Sequence, residues 1–302
     1  MTAVAIAQQD DIAAAVAEAL GHLALRPLVA GKLVAIKPNE TWASPGDTHG
    51  VTQADTLRGV IRELKRHGPR ALVVSGGAGA AETEHVFRAA GLLDVICEEQ
   101  VEFVDHNRPP FVSVDLPYAP DRDVRGPQQA VMVNPRVLEY DTLVSLAQLK
   151  LHETATVTLS LKNIAMSFPA ADYYGHPRAT QAHEHQFFAD MHSFIAAMAK
   201  RFPIDLAIIV GHPAMIATGP LGGKAVETGL VLASTDPLAA DVVGARLLGF
   251  KLQGVRHLWE AARLGVGDSA LDRFDFPGMS LTEAIKAFTR AAYGEELTFE
   301  HA

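Results

Sequence analysis

Cysteine is scarce in this sequence: Cys97 is the single one among 302 residues. A disulfide within the chain is therefore excluded, and so is any metal site or iron–sulfur cluster built from several cysteines. Low cysteine content fits an intracellular protein, and we predict a cytoplasmic location. Thirteen histidines against one cysteine favour nitrogen and oxygen ligands for any metal site.

Long apolar runs and basic character are also missing. No uninterrupted apolar stretch reaches the roughly 18 residues of a membrane-spanning helix, so we expect no membrane span. Residues 1–20 lack the basic start of a secretory signal and contain early acidic residues, so we expect no signal peptide. The formal net charge of −9 argues against a nucleic-acid-binding protein, which needs a basic face, but it is compatible with a local basic pocket for a small anion.

Two patterns of well-known hydrolases are absent from the sequence. There is no Gly-x-Ser-x-Gly motif, which disfavours an esterase of the nucleophile-elbow type. There is no His-x-x-x-His pair, the spacing with which one helix face binds the zinc ion of many hydrolases. The sequence does not indicate an oligomeric state, and a homo-oligomer stays open.

Apolar runs and amphipathic stretches alternate along the chain. Residues 32–39 and 71–77 are predicted strands, and residues 52–65 between them are a predicted helix. This regular alternation predicts mainly parallel sheets flanked by helices. We expect an α/β fold with two lobes, residues 1–145 and 146–302, and a site in the cleft between the lobes. Further along, we predict strands at 204–211 and 224–234, with a Gly/Pro loop at 212–223 between them.

Residues 144–167 combine lysines, a histidine and hydroxyls with core-type Leu, Val and Ile. A cation among apolar residues needs a reason, because burying an unpaired ammonium is costly, and a bound anion or metal would supply one. The alternative interpretation is a half-buried strand whose polar face lies in water.

Three lysines, Lys37, Lys150 and Lys162, lie at or near the ends of apolar segments. Such ends converge on the ligand crevice of a parallel sheet, where three ammonium groups would bind a carboxylate or phosphate. A desolvated lysine could also act as a base or form a Schiff base. Alternatively, each lysine extends from a strand end into water.

Several other residues are candidates for binding. Asn39 and Asn163 would orient a substrate through their amides, or else cap loops. Gly77 and Gly79 follow a predicted strand and precede a helix, so their backbone could hold an anion, or else form a tight turn. For a divalent metal, the predicted ligands are His152, His185 and His212, whose alternative interpretation is histidines in solvated loops.

The order of the motifs resembles the domain of unknown function family 362. The matching pieces are IKPN at 36–39, the glycine-rich turn at 76–79, LKLH through LKN at 149–163, the loop with Gly219-Pro220, and residues 234–249. Many relatives carry a cysteine-rich, ferredoxin-like segment that this chain lacks, so no iron–sulfur cluster is expected. The family often has an acidic residue where this chain has His212. The resemblance implies a fold and a pocket but no reaction.

A fainter similarity links the chain to the nickel-pincer lactate racemases. It rests on the order of Asp105-His106 and of Lys150, His152 and Lys162. Together these features predict an enzyme that moves a proton on a small, carboxylate-bearing anion, of the isomerase, racemase or lyase type, with help from a divalent metal. Lys150, His152 and Lys162 are the predicted catalytic residues, and Lys37, Asn39, Asn163, Gly77 and Gly79 the predicted binding residues. The alternative function is a non-catalytic carrier of an anion or metallocofactor.

Overall fold

The apolar runs of the sequence form the strands of a nine-stranded sheet. The computed structural model describes residues 1–118, 129–170 and 190–298. The first part of the chain contains β1 (Ala5–Gln8), α1 (Ile12–Gly21), α2 (Arg26–Val29), β2 (Leu33–Pro38), α3 (Ala54–Lys65), β3 (Ala71–Gly76), α4 (Thr83–Ala89), α5 (Leu92–Glu98) and β4 (Glu102–Asp105).

The elements that follow complete the sheet and its second helical layer. They are β5 (Val112–Asp115), β6 (Ala130–Val133), β7 (Thr142–His152), β8 (Thr156–Val157), α6 (Leu159–Ala165), α7 (Met191–Arg201), β9 (Leu206–Ile216), β10 (Lys224–Val226), β11 (Leu230–Ser234), α8 (Pro237–Leu247), α9 (Arg256–Arg263) and α10 (Leu281–Tyr293). Short 3-10 turns lie at Pro135–Leu138, Leu252–Gly254 and Leu271–Arg273.

The sheet is mainly parallel, as the alternation of strands and helices predicts. The strand order is β1-β11-β9-β7-β2-β3-β4, with β8 paired to β7 and β10 paired to β9. The pairs β9–β7, β7–β2, β2–β3 and β3–β4 are parallel, whereas β1 and β11 add antiparallel pairs at one edge. Strands β5 and β6 form a separate two-stranded sheet.

The strand order of the sheet reverses between β2 and β7, which is a topological switch point. From β2 it continues through β3 to β4 on one side, and it then returns to place β7 on the other side of β2. In open α/β sheets, ligand crevices form at such switch points, outside the carboxyl ends of the strands. The fold therefore places its crevice where β2 and β7 end.

Helices cover both faces of the sheet, and the central strands are buried on both sides. Along β2, Val34 and Ile36 pack into the core formed with α1, α3 and α5, whereas Ala35 packs into the core on the opposite face. Strand β7 is buried along nearly all of its length. The alternative of a half-buried strand with a polar face in water is therefore wrong for this stretch.

A short helix, α6, follows β7 and turns the polar residues of the central stretch back toward the sheet. Its first amides are capped by Asp241 on α8, whose carboxylate accepts from Ser160 N at 2.7 Å and from Leu161 N at 2.9 Å. Asp241 is fully buried, and burial raises the pKa of its carboxyl to about 7. This carboxylate therefore holds a helix end.

The division of the chain into two lobes is not confirmed. Strands from 1–145 and from 146–302 belong to the same sheet, and the boundary falls inside β7. None of the helices in the described ranges combines the length and the apolar character needed to cross a bilayer.

Two predicted elements in the second half differ from the structure. Residues 212–216, predicted as the start of a loop, continue strand β9. Residues 224–234, predicted as one strand, form β10 and β11 with a turn between them. Gly229 in this turn has a φ of +63°, a conformation that glycine adopts without strain.

Replacing Asp241 with alanine should destabilise the fold through α6. Two buried backbone amides would lose their acceptor, at about 1–3 kcal/mol each. We expect a lower urea midpoint, measured by circular dichroism. The control is Asp272→Asn on an exposed 3-10 turn, which should change the unfolding free energy by less than about 0.5 kcal/mol. A D241A midpoint equal to that of the control would contradict this role.

Candidate functional site

A cavity of about 380 Å³ lies at the carboxyl ends of β2 and β7. Its walls come from the segments after β2 and β3, the end of β7, helix α6 and the loop after β9. Seven of the predicted site residues line it together: Lys37, Asn39, Gly77, Gly79, His152, Lys162 and Asn163. The switch point of the sheet thus gathers residues that lie more than 120 positions apart in the chain, as in the Lys37–Asn163 contact.

Asn163 ties the end of β2 to helix α6. Its Oδ1 accepts a hydrogen bond from Lys37 Nζ at 2.9 Å and another from Asn39 Nδ2 at 3.1 Å. Its Nδ2 donates to the Lys37 carbonyl and to Ser145 Oγ, both at 3.1 Å. All of these groups are buried, so this amide fixes the floor of the cavity.

Lys37 is neutralised inside the protein by a carboxylate that the sequence analysis did not select. Its Nζ lies 2.7 Å from Glu40 Oε2, and the two side chains are 2% and 1% exposed. Both residues line the cavity. A buried ion pair of this kind contributes a fixed dipole to the cavity wall rather than a free cation.

Lys150 lies behind the cavity wall and does not line the cavity. It is fully buried, and its Nζ donates to Asn39 Oδ1 and to the Gly50 carbonyl, both at 2.7 Å. Burial, and then the charges of Lys162 and Lys37, hold the pKa of Lys150 well below its usual value. Its contacts make it a residue that positions Asn39, whereas a direct catalytic role would require contact with the ligand.

Lys162 presents an ammonium group to the cavity. The side chain is 7% exposed, and within the described ranges its Nζ makes no hydrogen bond and no ion pair. Burial, and secondly the charge of Lys37, lowers the pKa of Lys162 from 10.5 to about 7. An amine with this pKa can both donate and accept a proton near neutral pH.

His152 faces the cavity as a neutral hydrogen-bond donor. Its Nδ1 accepts from the backbone amides of Thr154 and Ala155 at 3.1 and 3.2 Å. An amide can only donate, so the ring proton of a neutral His152 is on Nε2. Burial, and then the charge of Lys162, lowers the pKa of His152 to about 2. The ring is therefore suited to donate to a ligand and unsuited to act as a base.

The glycine turn after β3 does hold an anion, and that anion belongs to the protein. Gly77 N donates to Glu40 Oε1 at 3.1 Å. A Cβ on Gly77 would lie 2.2 Å from His106 Nε2, so a larger residue would displace the imidazole. The predicted backbone cradle is therefore occupied by Glu40, and Gly77 is required by the close approach of His106.

The predicted metal ligands do not come together in the described part of the chain. His212 lies away from the cavity, between Glu227 and Asp55, which bond to its Nδ1 and Nε2 at 2.6 and 3.0 Å. His152 has no nitrogen lone pair free for a metal while its Nδ1 accepts from two amides. His185 lies outside the described residues. Residues 1–118, 129–170 and 190–298 contain no group of three metal-type ligands.

Several polar residues of the site were not predicted from the sequence. Glu40 and Ser167 line the cavity, and so does the buried Thr158, whose Oγ1 has no hydrogen-bond partner among the described residues. His106 lies directly behind Gly77. The one available signal for Glu40 was its spacing three residues after Lys37. The signal for His106 was its place in the Asp105-His106 pair.

Comparison with known proteins gives one curated relative of partial length. The chain is 28% identical over 136 residues to a thylakoid-associated protein of Synechocystis sp.. The match covers 45% of this chain and 41% of that protein, so the chain spans less than half of the relative's length. No solved structure matches the chain.

The family comparison covers most of the chain, including all the cavity residues at the ends of β2 and β7. Residues 34–246 match the family described as domain of unknown function, DUF362. This range begins in β2 and ends in α8, so it contains the switch point, the glycine turn and helix α6. The chain belongs to the DUF362 family.

Proposed function

We propose that this chain is an enzyme that moves a proton on a small, carboxylate-bearing molecule, as isomerases, racemases and lyases do. The observation that carries the proposal is the Lys162 ammonium, which faces the cavity without a partner among the described residues. Because an unpaired buried cation is costly, a bound carboxylate would stabilise it.

The cavity wall supplies a role for each polar group around Lys162. The donors His152 Nε2–H and Thr158 Oγ1 would orient a carboxylate or a carbonyl oxygen. Lys162 would exchange a proton with the adjacent carbon or oxygen, because its pKa of about 7 makes both protonation states available. Lys37 and Asn163 would hold the floor of the cavity, with Lys150 fixing Asn39 behind it.

Two parts of the sequence-based prediction stay predictions. A divalent metal would need ligands beyond those that the described ranges bring together, with His185 as the remaining candidate. The cytoplasmic location rests on composition alone.

Deuterium incorporation tests the enzymatic proposal directly. Wild-type protein is incubated in D₂O with a panel of 2-hydroxy acids, 2-oxo acids and amino acids. We expect it to replace a C–H proton by deuterium in one of these three classes of compound. The readout is loss of the corresponding ¹H NMR signal. Lys162→Met should abolish both exchange and ligand binding, because it removes the ammonium and the exchangeable proton. The matched control, Lys251→Met, changes an exposed lysine outside the cavity and should leave both unchanged.

Lys162→Arg separates an enzyme from a carrier. A guanidinium stays protonated, so this variant should retain carboxylate binding but lose deuterium exchange. Binding by calorimetry without exchange in the wild type would favour the carrier and contradict the enzyme. A folded K162M variant that binds the carboxylate with full affinity would overturn both the enzyme and the carrier as functions of this site.

The pH dependence of binding follows from the lowered pKa of Lys162. Above about pH 7 the free protein loses the Lys162 proton, so carboxylate affinity should fall by up to about tenfold per pH unit. Below about pH 6 the affinity should be constant while the ligand stays ionised. Calorimetric titrations between about pH 5.5 and about pH 9, on both sides of that pKa, measure this slope. Equal affinity of the wild type across the range would exclude Lys162 as the anion-binding cation.

A further inference from the structure

A continuous line of buried hydrogen bonds leads from the cavity to Tyr140. Glu40 Oε1 lies 2.9 Å from Ser167 Oγ, which lies 2.9 Å from His106 Nε2. On the other side of the ring, His106 Nδ1 lies 2.9 Å from Ser75 Oγ, and Ser75 Oγ lies 2.9 Å from the Tyr140 hydroxyl. The line begins at Glu40, just after β2. It passes through Ser75 in β3 and ends at Tyr140, just before β7.

With Glu40 ionised and His106 neutral, the chemistry of the partners gives every bond in this line one direction. An ionised Glu40 only accepts, so Ser167 Oγ donates to it at 2.9 Å, in preference to the neutral Gly77 carbonyl oxygen at 3.1 Å. His106 Nε2 also lies 3.1 Å from the Ser167 carbonyl oxygen, which only accepts, so the ring proton is on Nε2. The Nδ1 of a neutral His106 then accepts from Ser75, and Ser75 in turn accepts from Tyr140. All donors therefore point toward Glu40.

We propose that Ser75, His106 and Ser167 form a buried proton relay between Tyr140 and the cavity carboxylate Glu40. In one transfer, Tyr140 gives its proton to Ser75 and takes a replacement from water. Ser75 gives its own proton to His106 Nδ1, the Nε2 proton passes to Ser167 Oγ, and the Ser167 proton passes to Glu40. One proton enters from solvent and one carboxylate is neutralised, so the transfer balances.

The two ends of the relay lie in different environments. Ser75 and His106 are fully buried, and Ser167 and Glu40 are 3% and 1% exposed, so bulk water does not reach the middle of the line. Tyr140 is less deeply buried, and burial raises the pKa of its hydroxyl to about 12, which favours the neutral form that carries the proton. At the other end, Glu40 is ion-paired to Lys37 in the cavity wall. The relay thus gives the Glu40 carboxylate in the cavity wall a route for a proton that runs through the buried Ser75 and His106 to Tyr140.

Local packing keeps the central imidazole in line. The Phe168 ring packs edge-on against His106, with ring centroids 5.2 Å apart. Gly77 leaves room for the Nε2 edge, as the 2.2 Å clash of an added Cβ demonstrates. A histidine with two ring nitrogens in use and no room to tilt is suited to pass a proton from one nitrogen to the other.

This inference rests on the proposed function for the use of the proton, but the relay itself is measurable without a substrate. The readout is the rate at which the His106 Nε2 proton exchanges with water, followed by NMR on protein with ¹⁵N-labelled histidine. A relay makes this exchange fast although His106 is buried, because no opening of the fold is needed. A purely structural histidine exchanges only when the fold opens locally.

Tyr140→Phe removes the solvent end of the relay and keeps the ring. We expect the His106 Nε2 proton to exchange about tenfold more slowly, or slower still, in this variant. Ser75→Ala should have the same effect by breaking the second link. Tyr118→Phe, which removes a hydroxyl outside the relay, is the matched control and should leave the rate unchanged.

The outcomes separate the relay from the proposed function. Fast exchange of the His106 Nε2 proton that depends on Tyr140 and Ser75 supports the relay, even if no compound of the D₂O panel takes up deuterium. Slow exchange of the His106 Nε2 proton in the wild type, or an exchange rate that Tyr140→Phe does not alter, overturns the relay. This holds even if a compound of the D₂O panel takes up deuterium. A ¹⁵N spectrum that places the ring proton on Nδ1 would overturn the assigned direction of the bonds.

Discussion

The burial of three lysine ammonium groups at one switch point is the constraint on which the site depends. Two of them are satisfied by the protein: Lys37 by the Glu40 carboxylate, and Lys150 by an amide and a carbonyl oxygen. Lys162 has no such partner in the described part of the chain. Because burial, and secondly the charge of Lys37, disfavour its protonated form, Lys162 is the group whose charge an anionic ligand would change most.

Two strands and one helix of the fold hold these lysines in place. Parallel strands β2 and β7 bring Lys37 and Lys150 to the same edge of the sheet, and α6 folds Lys162 and Asn163 back over it. The cap on α6 comes from Asp241, so the helix end is fixed from the opposite side of the core. The site is therefore built on regular elements, which suits the exact placement that proton transfer requires.

The residue types and spacing predicted much of this arrangement, and its failures have identifiable causes. Apolar runs that end in Lys37 and Lys150 marked the edge of the sheet correctly, and seven predicted residues share the cavity. Helix α6 was not predicted because its seven residues are all buried, so its sequence lacks the polar face of an amphipathic helix. Partners across the fold, such as Asp241 for Ser160, have no signal in the sequence, because they depend on packing between distant segments.

Gly77 and His152 illustrate that hydrogen-bond partners from distant segments cannot be predicted from the sequence. Gly77 was predicted to bind the anion of a ligand, whereas in the structure its amide donates to the protein's own Glu40. His152 lines the cavity, and its two amide donors decide that Nε2 carries the proton and that the ring donates. In both cases the tertiary hydrogen bonds, rather than the residue type, determine the chemistry.

The most direct test of the central claim is the titration of Lys162 itself. Lysines labelled with ¹³C at Cε, assigned with a Lys162→Arg variant, report the protonation of each amine by NMR. The account predicts a Lys162 midpoint near pH 7 in the free protein and a higher midpoint when a small carboxylate is bound. A Lys162 amine that titrates near its ordinary value of 10.5, and does not respond to any carboxylate, would contradict the account.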